Sequence, residues 1–504
     1  MIGRCFAYML ICALLAGCAV VPEPLSDREL RDRAIDGANR ATANQEPVSK
    51  PVGLHEAMAR AVKYNLNARI EQAEAVLKLR QLELSNMAQL PNLVADLDYS
   101  GRNNYDGSSS RSLLTGLQSL EPSTSSDRHL VKSDLRLSWN ILDFGLSYVR
   151  ANQAADQALI AEEKRRKAIH RLLQEVRATF WKAAAAEKLS RKLAGLDKKI
   201  RAAQLSEQAM EREGTSSPLM ALTHQRELLE LQIELQRLNR ELGTSKAQIA
   251  ALMNLPPGTD FKLSLAGAPA SFADTLPPAG NMMSFALLQR PELRQAGYSS
   301  RINQREAEAA LLELLPGITP LLSVDYDSNS FAYEHNWVAA GAKASWNLMK
   351  IFSYPRKDAA IQAEGDTLDK KALATAMAIM MQVQVSRLNY SQAKRSFYLA
   401  QDLYDVEKKI LKQMSSAHAA GSIGGHSLLR QEMRLAAAEA KKGLSYADYE
   451  SAFGTLFVSL GADIGIDGID ETQPIEQISI TLAHNWYKMS SPSVVGSIPK
   501  LSSH

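Results

Sequence analysis

Past residue 18 the sequence contains no cysteine: Cys5, Cys12 and Cys18 are the only three, and all fall at the very start. A mature chain beginning there has no thiol for a disulfide, a thiolate metal site or a nucleophile, so redox chemistry is excluded. Long apolar runs are also missing. After the first residues no stretch of eighteen apolar residues occurs, which excludes a transmembrane helix and leaves strands as the means of any membrane crossing. Neither sign of charge dominates, with 58 Lys and Arg against 55 Asp and Glu and a net charge of +3, which predicts no nucleic-acid partner. The 9 histidines are scattered, with no His-Glu-x-x-His or metal-ligand spacing and no phosphate-cradling glycine loop after a strand. No catalytic residue, cofactor or metal is therefore expected, and charged residues in the long helical stretches read mostly as solvated faces.

What is present begins with a leader. Arg4 precedes an apolar run, Cys5 to Leu15, that is too short to span a bilayer and reads as a signal peptide over residues 1–17. The run ends in Leu15-Ala16-Gly17-Cys18, which resembles the lipobox of bacterial lipoproteins. That resemblance implies acylation of Cys18, and Ala19 in place of aspartate implies delivery to the outer membrane. An ordinary signal peptide with an incidental cysteine is the alternative. Residues 18–52 are polar, with Pro22, Pro24, Pro47 and Pro51 and no sustained apolar period, and read as a tether.

The body of the chain says one thing twice. Ser138-Trp139-Asn140 recurs as Ser345-Trp346-Asn347, an offset of 207 residues, and the glycines breaking the helical stretches that follow, Gly214 and Gly421, repeat at the same offset of 207. The span from Trp to Gly is thus 75 residues in both copies (139 to 214, 346 to 421), which points to a duplicated unit.

Each unit opens with a helix, from about Gly53 to Leu90 and from about Met282 to Leu315, stopped by Pro91 and Pro316. Alternating segments follow. Leu93, Ala95, Leu97 and Tyr99 share one face while Asp96 and Asp98 share the other; Val131, Leu135, Leu137 and Trp139 then oppose Lys132, Asp134 and Arg136. In the second unit Ile318, Leu322, Val324 and Tyr326 line up, as do Val338, Ala340, Ala342, Ala344 and Trp346 against Lys343. Strands about ten residues long with one apolar and one charged face fit a transmembrane β-barrel, with the charges in a watery lumen; a soluble hairpin over a core gives the same alternation. Trp139 and Trp346 suit interfacial aromatic positions, or a buried core. The first loop is the longer, since Pro91 to Trp139 spans 48 residues and Pro316 to Trp346 spans 30.

From Gly145 to Glu213 there is no proline and one internal glycine, Gly195, so a continuous helix of about seventy residues would be roughly 100 Å long. Apolar steps of three and four at Leu189, Leu193, Leu196 and Ile200, then at Leu228, Leu231, Leu235, Leu238 and Leu242, form a coiled-coil seam. Leu403, Val406, Ile410 and Met414 do likewise in the second unit, giving two antiparallel hairpins that turn at Gly214 to Pro218 and at Gly421 to Gly425.

The segment Ser138-Trp139-Asn140-Ile141-Leu142-Asp143-Phe144-Gly145 resembles the strand-to-helix signature of the TolC-type outer-membrane efflux factors, and the glycine-led turns Gly214-Thr215-Ser216 and Gly421-Ser422-Ile423-Gly424 occupy the place of that family's periplasmic tips. The resemblance runs from about Gly53 to Gly465. It implies a mixed fold: four strands per chain, twelve in a homotrimer, forming an outer-membrane barrel continuous with an α-helical coiled-coil barrel. It implies a passive conduit from periplasm to exterior, coupled to an inner-membrane transporter by a periplasmic adaptor that docks on Gly214, Thr215, Ser216, Gly421, Ser422 and Gly424. The barrel lumen would carry Lys132, Asp134, Arg136 and Lys343, with Trp139 and Trp346 at the membrane interface. The expected partition is residues 53–255 and 282–465 for the two units, 256–281 for the linker and 466–504 for an equatorial or disordered tail. In the second copy Lys350-Ile351-Phe352-Ser353-Tyr354-Pro355 departs from the signature, with Pro355 expected in a first helical turn. The stretch His426 to Arg430 lacks the acidic residues some members use to bind cations. A coiled-coil outer-membrane lipoprotein without a pore is the rival reading.

Overall fold

The computed structural model describes residues 22–119, 121–212, 218–264, 276–462 and 469–490. A leading helix α1 (Asp27–Ala41) is followed by α2 (Leu54–Tyr64), α3 (Leu66–Met87), β1 (Asn92–Gly101), β2 (Gly107–Ser108), β3 (Ser123–Thr124), β4 (His129–Ser138), α4 (Ile141–Arg212) and α5 (Pro218–Leu252). Then come α6 (Ala279–Gln289), α7 (Pro291–Leu312), β5 (Gly317–Asp327), β6 (Asn336–Ser345), α8 (Met349–Ala419), α9 (Gly425–Leu460) and α10 (Ile475–Ser490). The bounds of α2 and α3 recur at an offset of 225 in α6 and α7 (54 to 279, 66 to 291), and the starts of β4 and α5 recur at 207 in β6 and α9 (129 to 336, 218 to 425). The difference of 18 is the extra length of the first loop, which carries the small β2–β3 hairpin.

Several expectations change at helix ends. The stretch read as an irregular tether contains α1, because Ser26 and Glu29 form a capping box: Ser26 Oγ accepts from Glu29 N at 3.3 Å and the Glu29 carboxylate accepts from Ser26 N at 2.8 Å. The helix read from Gly53 to Leu90 is two helices, broken at Asn65, whose ψ of 120° leaves the helical region and whose Oδ1 caps α3 by accepting from Asn67 N and Ala68 N. The matching break in the second half is Arg290, ψ 128°, with Pro291 opening α7. A one-residue break leaves the apolar period nearly in phase, so periodicity cannot see it. Pro355 is not in a first turn either. Helix α8 already starts at Met349, so Pro355 sits inside it and removes one backbone hydrogen bond.

Strands β1, β4, β5 and β6 form one antiparallel sheet in that order, with β1 and β6 as open edges. Helix α4, 72 residues long, spans roughly 110 Å at 1.5 Å per residue, and α8 is nearly its equal at 71. Three apolar clusters hold the helices. One joins α2, α4 and α10 through Met58, Phe180, Trp181 and Ile478; one joins α6, α8 and α9 through Met282, Ile379 and Phe453; the third lies towards the hairpin ends. Part of the tail after residue 466 is therefore α10, seated by Ile478, Leu482 and Trp486.

The third cluster buries Leu189, Leu193, Leu196 and Ile200 of α4 with Leu228 and Leu235 of α5, as the seam predicted; Leu231, Leu238 and Leu242 lie outside the described side chains. The α8 seam is different, since Leu403, Val406 and Ile410 are exposed. Helix α9 places Leu429, Met433, Ala436 and Ala440 against α4 and α5, and although it also packs along α8 through Tyr449 and Phe453, it leaves this part of the α8 stripe uncovered among the described residues. The single chain exposes 31807 Å², where a compact monomer of 55.3 kDa exposes about 18,000 Å².

Candidate functional site: sheet, junction and helical tip

Lys132, Asp134, Arg136 and Lys343 share one face of the sheet. The register sets Asp98 opposite Lys132, Asp96 opposite Asp134, Asp134 opposite Asp325, and Thr319 opposite Lys343. Lys132 pairs with Asp327 at 3.4 Å and Arg136 with Asp134 at 3.0 Å. The row Asp96, Asp134, Asp325 places three carboxylates side by side, which single-strand alternation could not reveal because it depends on the pairing. The other face is mainly apolar: Leu93, Leu137, Leu322 and Ala340 form one row, Ala95, Leu135, Val324 and Val338 the next, and Leu97 and Tyr326 share a third with Ser133 and Asn336. Its side chains stand in the open, with Leu93 65 %, Leu97 76 % and Val338 68 % exposed. Burying each such side chain is worth about 1.5–3 kcal/mol, so this face belongs against something apolar. In a soluble hairpin one face of an antiparallel sheet covers the protein's own core; here no core cluster contains a residue of the sheet.

The repeated Ser-Trp-Asn has a local mechanical reading. Trp139 Nε1 donates to the Gln89 carbonyl at 3.3 Å, and Trp346 Nε1 donates to the Leu314 carbonyl at 2.8 Å. Both acceptors lie two residues before the proline that ends the incoming helix, Pro91 and Pro316. Asn140 Oδ1 then accepts from Leu142 N at 3.0 Å and Asn347 Oδ1 from Met349 N at 3.2 Å, capping the outgoing helices. Each copy therefore ties the helix entering the sheet to the helix leaving it. Both indoles are exposed. Below the second junction Lys350 and Lys357 reach Glu313 at 3.4 and 3.1 Å, so the altered signature is replaced by ion pairs between α7 and α8.

At the far end α8 closes in a Schellman motif. Gly421, φ +74°, follows the cap; its N–H donates to the His418 carbonyl at 2.9 Å, and Ser422 N–H donates to the Ala417 carbonyl at 2.9 Å. The backbone thus demands glycine at 421. It makes no such demand at Gly424, whose φ of −78° suits any residue and whose added Cβ would meet nothing within 4 Å. Arg430, in the stretch without acids, pairs with Glu227 of α5 at 2.8 Å. Gly214, Thr215, Ser216 and Cys18 lie outside the described residues. Among the described residues no group of three His, Cys, Asp or Glu side chains could hold a metal ion, and no helix is long and apolar enough to cross a membrane.

No protein-family profile and no curated sequence matches the chain. Solved structures do match. The outer-membrane channel OprN is 14 % identical over 84 % of this chain and 95 % of its own, with a TM-score of 0.61. The MtrE outer-membrane channel of Neisseria gonorrhoeae, in its open state, is 16 % identical over 81 % of this chain and 88 % of its own, at 0.60, and the CmeC outer-membrane channel of Campylobacter jejuni is 13 % identical over 92 % and 98 %, at 0.62. The chain has the TolC-type outer-membrane channel fold.

Within this fold the chain contains one feature that its sequence did not reveal, a buried polar knot. Arg177 and Glu450 pair at 2.6 Å with side chains 1 % and 2 % exposed. Trp486 stacks on the guanidinium, 3.6 Å from Arg177 Cζ to the ring centre, and Tyr446 donates to Glu450 Oε1 at 3.0 Å. Burial pushes the Glu450 carboxyl above its ordinary range, against the pull of Arg177, and His55 is held down to about 4 by burial and by the Arg177 charge. Nothing marked these residues in the sequence, because each is an ordinary charged residue of a helix until the helices pack.

Proposed function

We propose that three copies of this chain form a passive conduit across the outer membrane and periplasm. The observation that carries the reading is a ten-residue-deep sheet, one face charged and the other mainly apolar and uncovered, at the head of helices roughly 110 Å long. Four antiparallel strands cannot close on themselves, and their open edges ask for further copies; twelve strands from three chains would make a barrel with its charged face to a watery lumen. Residues 53–255 and 282–465 would be two structural repeats joined by 256–281, and the long helices of three chains would line a tunnel. Residues 1–17 would be removed and Cys18 acylated, anchoring the chain in the outer membrane of a Gram-negative bacterium.

Purified full-length protein added to planar lipid bilayers is expected to give discrete conductance steps, shifted by neutralising Lys132 or Asp134. A trimer that gives none would favour the pore-free coiled-coil lipoprotein instead.

A conduit of this kind supplies no energy, so an inner-membrane transporter joined through a periplasmic adaptor at the helical tips completes the proposal. Gly421 cannot test that docking, since its backbone alone requires glycine. Gly424 can. With φ at −78° and open space around it, Gly424→Phe should leave folding and trimerisation unchanged while export falls at least tenfold if a partner helix approaches there. Unchanged export by Gly424→Phe would remove the tip from the interface. The cargo would be chosen by the pump.

A further inference from the structure

The open edges of the sheet can be joined in many registers, but the chain contains its own ruler. In the first hairpin Asn92 faces Ser138, and in the second Gly317 faces Ser345. Moving β1 by the offset of 225 and β4 by 207 converts the first pairing into the second without remainder, so the two hairpins are alike in register. They meet within the chain at one seam, β4 against β5, where Leu135 faces Val324. A seam of the same kind between copies runs from β6 of one protomer to β1 of the next.

We propose that this second seam has the same register as the first, which sets Lys343 of one protomer directly opposite Asp98 of its neighbour; the inference rests on the trimeric reading above. Applying the two offsets to Leu135 and Val324 gives Ala342 against Tyr99, and therefore Lys343 against Asp98, Gly341 against Ser100 and Ser345 against Asp96. The faces agree. Ala342 and Ala344 meet Tyr99 and Leu97 on the apolar side, and a lysine meets an aspartate on the charged side, whereas a one-residue slip would set Lys343 against Tyr99 or Leu97. The hydrogen-bond phase agrees as well. In the internal seam Trp139 N–H donates to the Pro320 carbonyl and Ser328 N–H to the Val131 carbonyl, so odd positions of β4 are the hydrogen-bonded ones. Lys343 then falls at a position of the close, non-hydrogen-bonded type, where opposite side chains approach most nearly.

The helices carry the same rule. Helix α7 packs between α4 and α8, while α3, its counterpart at the 225 offset, packs against α4 and has no helix on its other flank among the described residues. The flanks differ in chemistry. At Gln295, Arg301 and Gln304 α7 is polar, and Arg301 is ion-paired to Asp156 of α4. The matching positions of α3 are Ile70, Val76 and Leu79, all exposed, and the position matching Asp156 on α8 is Ala363. A seam within one chain needs no affinity, since its halves are tethered. A seam between chains must supply association, and apolar burial does that.

The mature sequence is free of cysteine after position 18, which allows the register to be read by disulfide trapping in the full-length protein. Gly341→Cys with Ser100→Cys tests the proposed pair; a Cβ at 341 would come no nearer than 3.6 Å to Leu321, an ordinary contact. Ser345→Cys with Asp96→Cys repeats the test at a second rung. Gly341→Cys with Asp98→Cys tests a two-residue slip on the same face, and protein without introduced cysteines controls for Cys18. After oxidation the first two variants are expected to run as covalent trimers on non-reducing denaturing gels, with the slipped pair at least tenfold less cross-linked. A protein that is trimeric by light scattering but cross-links only through the slipped pair, or through none, overturns the register and leaves the trimer standing. A monomer by light scattering removes the trimer itself.

Discussion

Glu450→Ala is expected to cost about 3–5 kcal/mol of stability, because it leaves the Arg177 guanidinium charged and unpaired in the interior. The setting makes rescue by solvent difficult. Arg177 is 1 % exposed at its side chain, its Nε and Nη2 have no hydrogen-bond partner, and Trp486 closes one side of it. Glu450 therefore provides the only compensating charge in the knot, on α9, for a cation on α4 beneath α10. Replacing both partners with apolar groups of similar size, Arg177→Met with Glu450→Leu, should be far milder than Glu450→Ala alone, since no stranded charge remains. Chemical unfolding followed by circular dichroism reads both. A Glu450→Ala loss below about 1 kcal/mol, or a double variant as damaged as the single, would mean that the guanidinium reaches water in the folded state.

Gly461→Ala is expected to be nearly as severe, at about 2–4 kcal/mol, for a steric reason. Gly461 ends α9 in the left-handed region at φ +68°, and a Cβ there would stand 2.9 Å from both Arg290 N and Gln289 C. Those atoms are backbone and cannot swing aside. They belong to the corner between α6 and α7, pinned to the end of α9 by Arg290 Nη1 donating to the Val458 carbonyl at 2.9 Å and to α8 by Arg290 Nη2 donating to Gln382 Oε1 at 3.0 Å. Gly421→Ala provides the control, because Gly421 has nearly the same φ, +74°, with nothing near its Cβ. It should lose only the left-handed penalty of about 1–2 kcal/mol. Equal losses at the two sites would show that the corner yields and that conformation alone sets the cost.

Both variants act where long helices converge, and such convergence is what a sequence carries least well. The register of the sheet was half legible: alternation assigned Lys132, Asp134, Arg136 and Lys343 to one face, since side-chain direction in a strand has period two and needs no partner. It could not align Asp96, Asp134 and Asp325 into a row. The α8 seam at Leu403, Val406 and Ile410 shows the same limit from the other side. A stripe with three- and four-residue steps says that a helix wants a neighbour, and the partner inferred was its own hairpin mate; α9 does pack along α8, through Tyr390, Tyr449 and Phe453, but leaves Leu403, Val406 and Ile410 exposed. The breaks at Asn65 and Arg290 were missed because one non-helical residue hardly disturbs a helical period.

The sequence by itself determined what is local or repeated: the offset of 207, the strand faces, the length of α4, the glycine at 421, and the absence of thiols beyond residue 18. These follow from backbone sterics and from periods that neighbouring residues share. Only the tertiary structure decided which carbonyl the indole N–H of each repeated tryptophan holds, which charges are entombed together at Arg177 and Glu450, and which apolar faces are left uncovered. Those depend on residues brought together across 32 to 273 positions of chain, and a pairwise contact at that separation is fixed by the packing of whole helices, not by any residue's own preference.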